Sequence, residues 1–459
     1  MPLIKSVSGI RGVIGGKPGE NLTPIDMVKF SAAYAAYVMK KSGKKTILIG
    51  RDGRISGELV SRLVSATLQS MGANVIDLGL STTPSVEIAV MEEAEAAGGI
   101  ILTASHNPRE WNALKLLNAD GEFLDAEAGA EVLRIAEAEE TVFAMVDHLG
   151  AYAQRDDSVA RHIEKVLNHP LVLTKAIRAR GFKVVVDPVN STGALALPPL
   201  LEALGCQVWV INETVNGQFA HNPEPLRQHL QQLSSAVSRF KADMGIAVDP
   251  DVDRLVLLNS GGDLFGEEYT LVAAADYVLS KRPGNTVSNL SSTRALADIT
   301  ERYGGQYAAS AVGEVHVVRK MKETQAVIGG EGNGGVIMPD LHYGRDALIG
   351  IALILSLLAE RKLSLHSLRT RYPNYEMVKS RFDLSERLNL DAIFAHLKTK
   401  YRREKLNTED GLRIDFDNGW IHLRPSNTEP IIRLYAESQH ETIARSLTEK
   451  IMQDIREIM

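Results

Sequence analysis

Seven short runs rich in Val and Ile recur along the chain with helix-length segments between them. They are TILIG (46–50), NVIDLG (74–79), GGIILT (98–103), KVVVD (183–187), QVWVIN (207–212), MGIAVD (244–249) and AVIGG (326–330). Runs this continuously apolar are buried on both faces, so the pattern predicts parallel sheets covered by helices in α/β units. Three of the runs end in chemically dense turns: IILT leads into ASHNP, GIAVD into PDVDR, and AVIGG into EGNGG. The turns lie about 145 and then about 80 residues apart, a spacing that predicts related α/β domains rather than a short solenoid repeat. In open α/β sheets ligands sit beyond the carboxyl ends of strands, and all three turns fall there.

A chain of 459 residues exceeds what one hydrophobic core supports, which predicts roughly three or four domains. The tail reads differently. DGLRIDF, GWIHLRP and IIRLYAE are short, partly alternating strands, followed by a charged amphipathic helix over about 440–458. That predicts a small α+β domain. The expected division is 1–150, 151–257, 258–371 and 372–459.

Apolar content of 44% and charged content of 24% are those of a folded soluble protein. A net charge of -6 argues against nucleic acid as partner, since no basic surplus is available for a phosphate backbone. A local basic pocket for a small phosphate is compatible with that balance. Cys206 is the single cysteine, which excludes an intrachain disulfide and a cysteine-based zinc site and predicts a reducing, cytoplasmic setting. MPLIKSVSGIRG lacks the apolar core of a signal peptide, and ALIGIALILSLLA (347–359) is too short to span a bilayer. No membrane association is expected, and the second run reads as a buried core helix.

In VDPDVDR, Asp249, Asp251 and Asp253 alternate along an extended segment, so their carboxylates converge. Mutual repulsion of such a group is relieved by a hard divalent cation with oxygen ligands, and magnesium fits. The alternative, a solvated acidic turn, conflicts with the preceding core strand and with Pro250. GGEGNGG contains G-x-G-x-x-G, but VIMPD follows where a dinucleotide fold would open a helix, so a nicotinamide site is rejected. A plain glycine-rich turn and a ligand-approach loop around Glu331 and Asn333 both remain open from the residues alone. RPSNTEP (424–430) with Arg433 is dense in donors: two guanidiniums flank Ser426, Asn427 and Thr428, the side chains suited to phosphate capture. SGIRG (Arg11) and GRDGR (Arg51, Arg54) are weaker, and such turns are more often structural. No G-x-S-x-G elbow surrounds Ser105, which argues against an acyl-transfer nucleophile. A serine beside a cation site, with phosphate-binding arginines elsewhere, reads better as a phosphate carrier.

These motifs, in this order from SGIRG to RPSNTEP, resemble the α-D-phosphohexomutase family over nearly the whole chain. The resemblance implies three related α/β domains with mixed sheets plus a smaller C-terminal α+β domain, heart-shaped around a central cleft. It implies that phosphorylated Ser105 donates its phosphoryl group to a hexose monophosphate. The bound 1,6-bisphosphate then turns around and returns its other phosphate to Ser105. Asp249, Asp251 and Asp253, together with the phosphoserine, would hold Mg2+. Lys115, in NALK, would assist proton transfer, while His106 and Asn107 shape the loop. Arg11 and Arg254 would steady the travelling phosphate, and Arg424, Ser426, Asn427 and Thr428, with Arg433, the stationary one. The enzyme would be a monomer or homodimer.

The sugar loop of such enzymes runs G-E-x-S-G-H, whereas Asn333 and Gly335 stand here for the Ser and His, so only Glu331 carries over cleanly. Glu314, in VGEVHVVRKM, and the early SGIRG resemble the phosphoglucosamine branch, where a carboxylate would suit a substrate ammonium. The alternative is the phosphomannomutase/phosphoglucomutase branch. A sugar-phosphate phosphatase would have no use for a second phosphate grip, and a non-catalytic sensor would tolerate losing Ser105 or an aspartate. Neither matches the residues present.

Overall fold

The computed structural model describes residues 3–6, 9–383, 390–425 and 431–457. Four sheets are built in turn along the chain. The first has seven strands among the described residues, in the spatial order Ile4–Ser6, Gly9–Val13, Trp111–Leu117, Ala96–Leu102, Thr46–Arg51, Asn74–Leu80 and Tyr152–Gln154. The second runs Leu255–Asn259, Met244–Val248, Lys183–Asp187, Gln207–Val210. The third runs Tyr307–Ser310, Thr286–Asn289, Ile328–Glu331, Gly335–Ile337. All three are parallel at their centres with helices between successive strands, as the Val- and Ile-rich runs predict.

Each of these sheets turns antiparallel at an equivalent place, and the first continues antiparallel from there through Gly9–Val13 to Ile4–Ser6. Ala96–Leu102 returns antiparallel as Trp111–Leu117, Met244–Val248 as Leu255–Asn259, and Ile328–Glu331 as Gly335–Ile337. The reason is length. A parallel crossover needs a dozen or more residues, and these connections are shorter, so the chain can only double back. The serine loop, the aspartate loop and the glycine-rich loop are therefore three equivalent hairpin turns in three related sheets.

The fourth sheet is fully antiparallel: Glu376–Asp383, Ile431–Ser438, Gly419–Pro425, Leu412–Phe416 and Lys405–Asn407, with helices Leu390–Lys400 and Glu441–Arg456. The fold is thus α/β and multi-domain. The strand Tyr152–Gln154 completes the first sheet past residue 150, and the hairpin of the second runs to Asn259, past residue 257.

Helix Ala347–Arg361 is apolar all round, and its residues Ala347 through Ala359 are buried. It is a core helix, and one apolar cluster joins it to side chains of both the second and third sheets. Among the described residues no helix is long and apolar enough to cross a membrane.

Where three domains meet, a buried polar chain ties them. Ser85 Oγ lies 3.0 Å from His162 Nδ1, and His162 Nε2 lies 2.8 Å from Asp346 Oδ2. His342 Nε2 lies 3.3 Å from the same oxygen, and its Nδ1 lies 3.2 Å from Glu87 Oε2. Burial alone would lower His342, but Asp346 and Glu87 outweigh it and raise the imidazole to about 10. Burial raises the Glu87 carboxyl to about 8, against the pull of His342. Both folded values lie above the ordinary ones, so this pair binds more protons folded than unfolded. Its contribution to stability is complete below the ordinary carboxylate and imidazole values and is lost as pH rises from there, the Glu87 part by about 8 and the His342 part by about 10. Thermal unfolding should show Tm falling from pH 7 to pH 10, with a flatter dependence for His342→Gln. Parallel curves for the two proteins would remove this pair as the cause.

Candidate active site

The serine loop is held from beneath. Ser105 sits at φ 50°, a left-handed conformation that costs a non-glycine residue on the order of 1–3 kcal/mol. Its backbone N–H donates to Thr103 Oγ1 (2.9 Å), whose hydroxyl donates to the buried Asp52 (2.6 Å). Arg54, buried and paired with Asp52 (3.0 Å), donates to the carbonyls of Ser105 (2.5 Å), Asn107 (2.7 Å), Pro108 (2.7 Å) and Trp111 (2.9 Å). One guanidinium thus fixes the whole turn. Arg54 is structural, as such turns usually are, but it is a structural part of this site.

The second hairpin meets the first at its tip. Ser105 Oγ donates to Asp249 Oδ2 at 2.6 Å. Val252, a buried β-branched residue at φ 65°, forms the strained corner that folds the three aspartates together. Asp249, Asp251 and Asp253 are each fully buried and present ligand atoms within 4.8 Å of one another.

Asp251 Oδ2 accepts from Lys115 Nζ (2.7 Å) and Thr83 Oγ1 (2.6 Å), and Asp253 Oδ2 accepts from Arg345 Nη2 (2.6 Å). The other oxygen of each, Oδ1, is buried with no hydrogen-bond partner among the described residues. Two orphaned carboxylate oxygens beside Asp249 form an oxygen-only donor set, which fits a hard cation. This triad is able to hold a metal.

Charge repulsion shows in the protonation of the group. Burial, then Asp253 and Asp251, push the Asp249 carboxyl well above the usual range. Burial would raise Asp251 too, but Lys115 and Thr83 hold it below the usual range. Burial would lower Lys115, yet Asp251 and Asp253 keep it raised, so it stands here as an ammonium.

A cavity of about 660 Å³ adjoins this cluster at His106, Asn107 and Arg254 and is lined from all four sheets' domains. Arg11, His106 and Asn107 face it from the first, Arg254 and Glu224 from the second. Glu331 and Asn333 face it from the third, and Arg424 and Arg433 from the fourth. Arg11 Nη1 reaches the Asn107 amide oxygen at 3.3 Å, while Arg254 lies 3.8 Å from Glu224 and 3.9 Å from Asp253. These two guanidiniums are loosely paired and close to one another. Burial and the two arginines hold His106 well below its ordinary value, so it is a neutral imidazole. Across the cavity, Arg424 Nη1 lies 3.5 Å from Asp410. Ser426, Asn427 and Thr428 lie outside the described residues.

Glu331 lines the cavity but is heavily engaged. Its Oε1 accepts from Asn289 Nδ2 (2.8 Å) and Gly313 N (3.1 Å), and its Oε2 from Arg345 Nη1 (2.9 Å). Asn333 Nδ2 is 3.4 Å from the same carboxylate. Glu314, expected to meet the sugar, is buried against Arg345. Its Oε2 accepts from Arg345 Nε (2.8 Å), its Oε1 from Arg345 N (3.4 Å), and it is not among the residues that line the cavity. The physical reason is a buried cation thirty-one residues on, which neutralises it internally.

Sequence reasoning passed over Arg345, Thr83, Asn289 and the cavity-lining Lys379, His422 and Tyr435. Arg345 had one available signal, a lone Arg placed between the glycine-rich loop and the most apolar helix of the chain.

Four family profiles match along the chain. They are Phosphoglucomutase/phosphomannomutase alpha/beta/alpha domains I (3–143), II (160–262) and III (266–375) and the C-terminal domain (377–454). A phosphoglucomutase/phosphomannomutase of Thermococcus kodakarensis is 35% identical over 446 residues, covering 96% of each chain. A phosphoglucosamine/phosphogalactosamine mutase of Sulfurisphaera tokodaii is 32% identical over 450 residues, covering 96% of this chain and 97% of that one. The crystal structure of a phosphoglucomutase/phosphomannomutase family protein from Burkholderia thailandensis superposes with a TM-score of 0.86 at 25% identity, over 99% of this chain and 97% of that one. A buried serine hydroxyl and three convergent aspartates beside a cavity lined by arginines thus stand on a chain matched by this family from its first sheet to its last, and the protein belongs to the α-D-phosphohexomutases, isomerases that act by phosphoryl transfer.

Proposed function

We propose that this chain interconverts hexose 6-phosphate and 1-phosphate through phosphorylated Ser105 and a bound 1,6-bisphosphate. The observation that carries the reading is the 2.6 Å bond from Ser105 Oγ to Asp249 beside a cavity lined by Arg11 and Arg254 from the first two domains and by Arg424 and Arg433 from the fourth. Two separated cationic patches suit a ligand with a phosphate at each end.

In the first half-reaction the bond between phosphorus and Ser105 Oγ breaks, and a new one forms to the free sugar hydroxyl. That hydroxyl gives up a proton and the leaving serine oxygen takes one up, so each transfer moves one proton from sugar to serine. Lys115, held as an ammonium, donates to the serine oxygen and then recovers its proton from the sugar hydroxyl. Arg11 and Arg254 neutralise the travelling phosphoryl oxygens. After the bisphosphate turns around, the same groups act in reverse on its other phosphate. Mg2+ is the cation proposed for Asp249, Asp251 and Asp253, where it would offset charge on the phosphoryl oxygens. Glu331 and Asn333 are proposed to meet the sugar hydroxyls.

We propose glucosamine phosphate as the preferred sugar, supported by the named activity of the Sulfurisphaera tokodaii relative. The phosphomannomutase/phosphoglucomutase reading has two observations in its favour, the named activity of the Thermococcus kodakarensis relative and the commitment of Glu314 to Arg345. Comparing kcat/KM for glucosamine, glucose and mannose 6-phosphates, with Mg2+ and a 1,6-bisphosphate activator, decides between them. Glucosamine 6-phosphate should be fastest, and an equal or better neutral hexose would overturn that preference.

The domain division near 150, 257 and 371 is also proposed, extended a few residues at the first two to keep the sheets intact. A cytoplasmic setting is part of the same reading, supported by a single, buried cysteine.

Arg424, with Ser426, Asn427, Thr428 and Arg433, is proposed to hold the phosphate that is not being transferred. A charge-assisted bond contributes about 1.5–3 kcal/mol, so Arg424→Ala should lower kcat/KM roughly tenfold to a hundredfold. One loop serves both half-reactions, so the 1-phosphate and 6-phosphate should suffer alike. A deficit with one substrate alone would show that the loop is not a shared anchor.

A further inference from the structure

Arg345 lies on the segment between the strand Gly335–Ile337 and the helix Ala347–Arg361. Its guanidinium spends each of its three nitrogens on a different buried carboxylate. Nε donates to Glu314 (2.8 Å), Nη1 to Glu331 (2.9 Å) and Nη2 to Asp253 (2.6 Å). The last two belong to different hairpin turns, one carrying the aspartates and the other the sugar loop. The stem of Arg345 reaches them by crossing Gly335. A Cβ at that glycine would stand 2.3 Å from Arg345 Cδ, so the slot exists only because residue 335 has no side chain.

We propose that Arg345 is the positioning residue that couples the metal loop to the sugar loop, orienting Asp253 toward the ion and Glu331 toward the sugar at once. The inference rests on the metal role proposed above for the aspartates. Asp253 places Oδ2 on Arg345, which leaves its buried Oδ1 without a hydrogen bond, 3.9 Å from Arg254 Nε. An outer partner that takes one carboxylate oxygen fixes the direction of the other, the usual means by which a ligand set is oriented. Glu331 is restrained by the same group, so neither turn can shift without the other. A lysine could not replace it, because a point-charge ammonium cannot present three divergent donors in one plane.

The sign of the effect on metal binding separates this role from a simpler one. If Arg345 were only a competing positive charge, removing it would tighten divalent binding. If it orients Asp253, removing it weakens binding.

Isothermal titration of the metal-free enzyme with Mn2+, with kcat and KM at saturating metal, tests this on Arg345→Met, Arg345→Lys and Gly335→Ala. The expected result for Arg345→Met is a rise in the Mn2+ Kd of roughly tenfold to a hundredfold. A rise in the hexose-phosphate KM should accompany it as Glu331 is released. Arg345→Lys keeps the charge and should recover thermal stability but not metal affinity. Gly335→Ala keeps the arginine itself and should reproduce the metal defect by displacing its stem, which no merely structural account of Arg345 requires. Should Arg345→Met fail to fold, the other two decide. Wild-type or tighter Mn2+ binding in a folded variant overturns the coupling, as does full rescue by lysine. Wild-type enzyme that binds no divalent ion at the aspartates would instead overturn the proposed metal site, a distinguishable result.

Discussion

Ser105→Ala should lower mutase turnover by at least about four orders of magnitude and leave a protein that never carries a phosphoryl group, as read by intact mass. The hydroxyl ties the serine loop to the aspartates: its Oγ donates to Asp249 at 2.6 Å, while the loop's carbonyls are taken up by Arg54. Alanine at φ 50° keeps the backbone strain that serine bears. Ser105→Gly relieves it, since glycine occupies that region freely, and should be more stable than wild type by about 1 kcal/mol. The two variants therefore separate chemistry from folding: one strained, one relaxed, and both inactive. Turnover retained in the glycine variant, or active wild-type protein without phosphate at Ser105, would end the carrier role.

The three chemical turns were legible because each follows an unbroken apolar run, and a buried strand can only release its polar groups at its end. Ser105, Asp249 and Glu331 announce themselves in that way, although the sequence puts them far apart. The return strands were harder to see. Trp111–Leu117 carries Asn112 and Lys115 in a largely apolar run, and nothing local marks it as antiparallel; loop length alone forces that. Glu376–Asp383 and Lys405–Asn407 were missed, because they are polar strands whose stability comes from their neighbours in the fourth sheet. Glu314 shows the opposite failure. Its carboxylate was visible, but the guanidinium that neutralises it is distant in sequence, and only the packed structure brings Arg345 against it. Arg54 and Arg345 look alike in sequence, single arginines beside glycines, yet one braces a loop from below and the other links two loops.

Asp251→Asn should weaken divalent binding and lower kcat by roughly two to three orders of magnitude, with the fold retained. The asparagine has the shape of the carboxylate, so the hydrogen bond from Thr83 N–H to the residue 251 carbonyl (2.9 Å), which seats the helix Thr83–Glu92, is unaffected. What changes is the sign of the side chain's two termini. Asp251 Oδ2 now accepts from both Lys115 and Thr83, and Oδ1 is the orphaned oxygen available to a cation. An amide can satisfy only one of these. With its oxygen toward Lys115, its NH2 points at the cation site as a donor; turned over, the NH2 confronts the Lys115 ammonium. Either way the site loses one unit of negative charge. The remaining aspartates then repel less, and Asp249, held high by burial and by Asp253 and Asp251, should come down toward the ordinary carboxylate range. The variant should therefore need much more Mg2+ to reach its residual maximum, whereas wild type should fall silent in a chelator and recover when Mg2+ is returned. Wild-type turnover that persists in excess chelator would show that the aspartates serve only as counter-ions for Lys115 and Arg345.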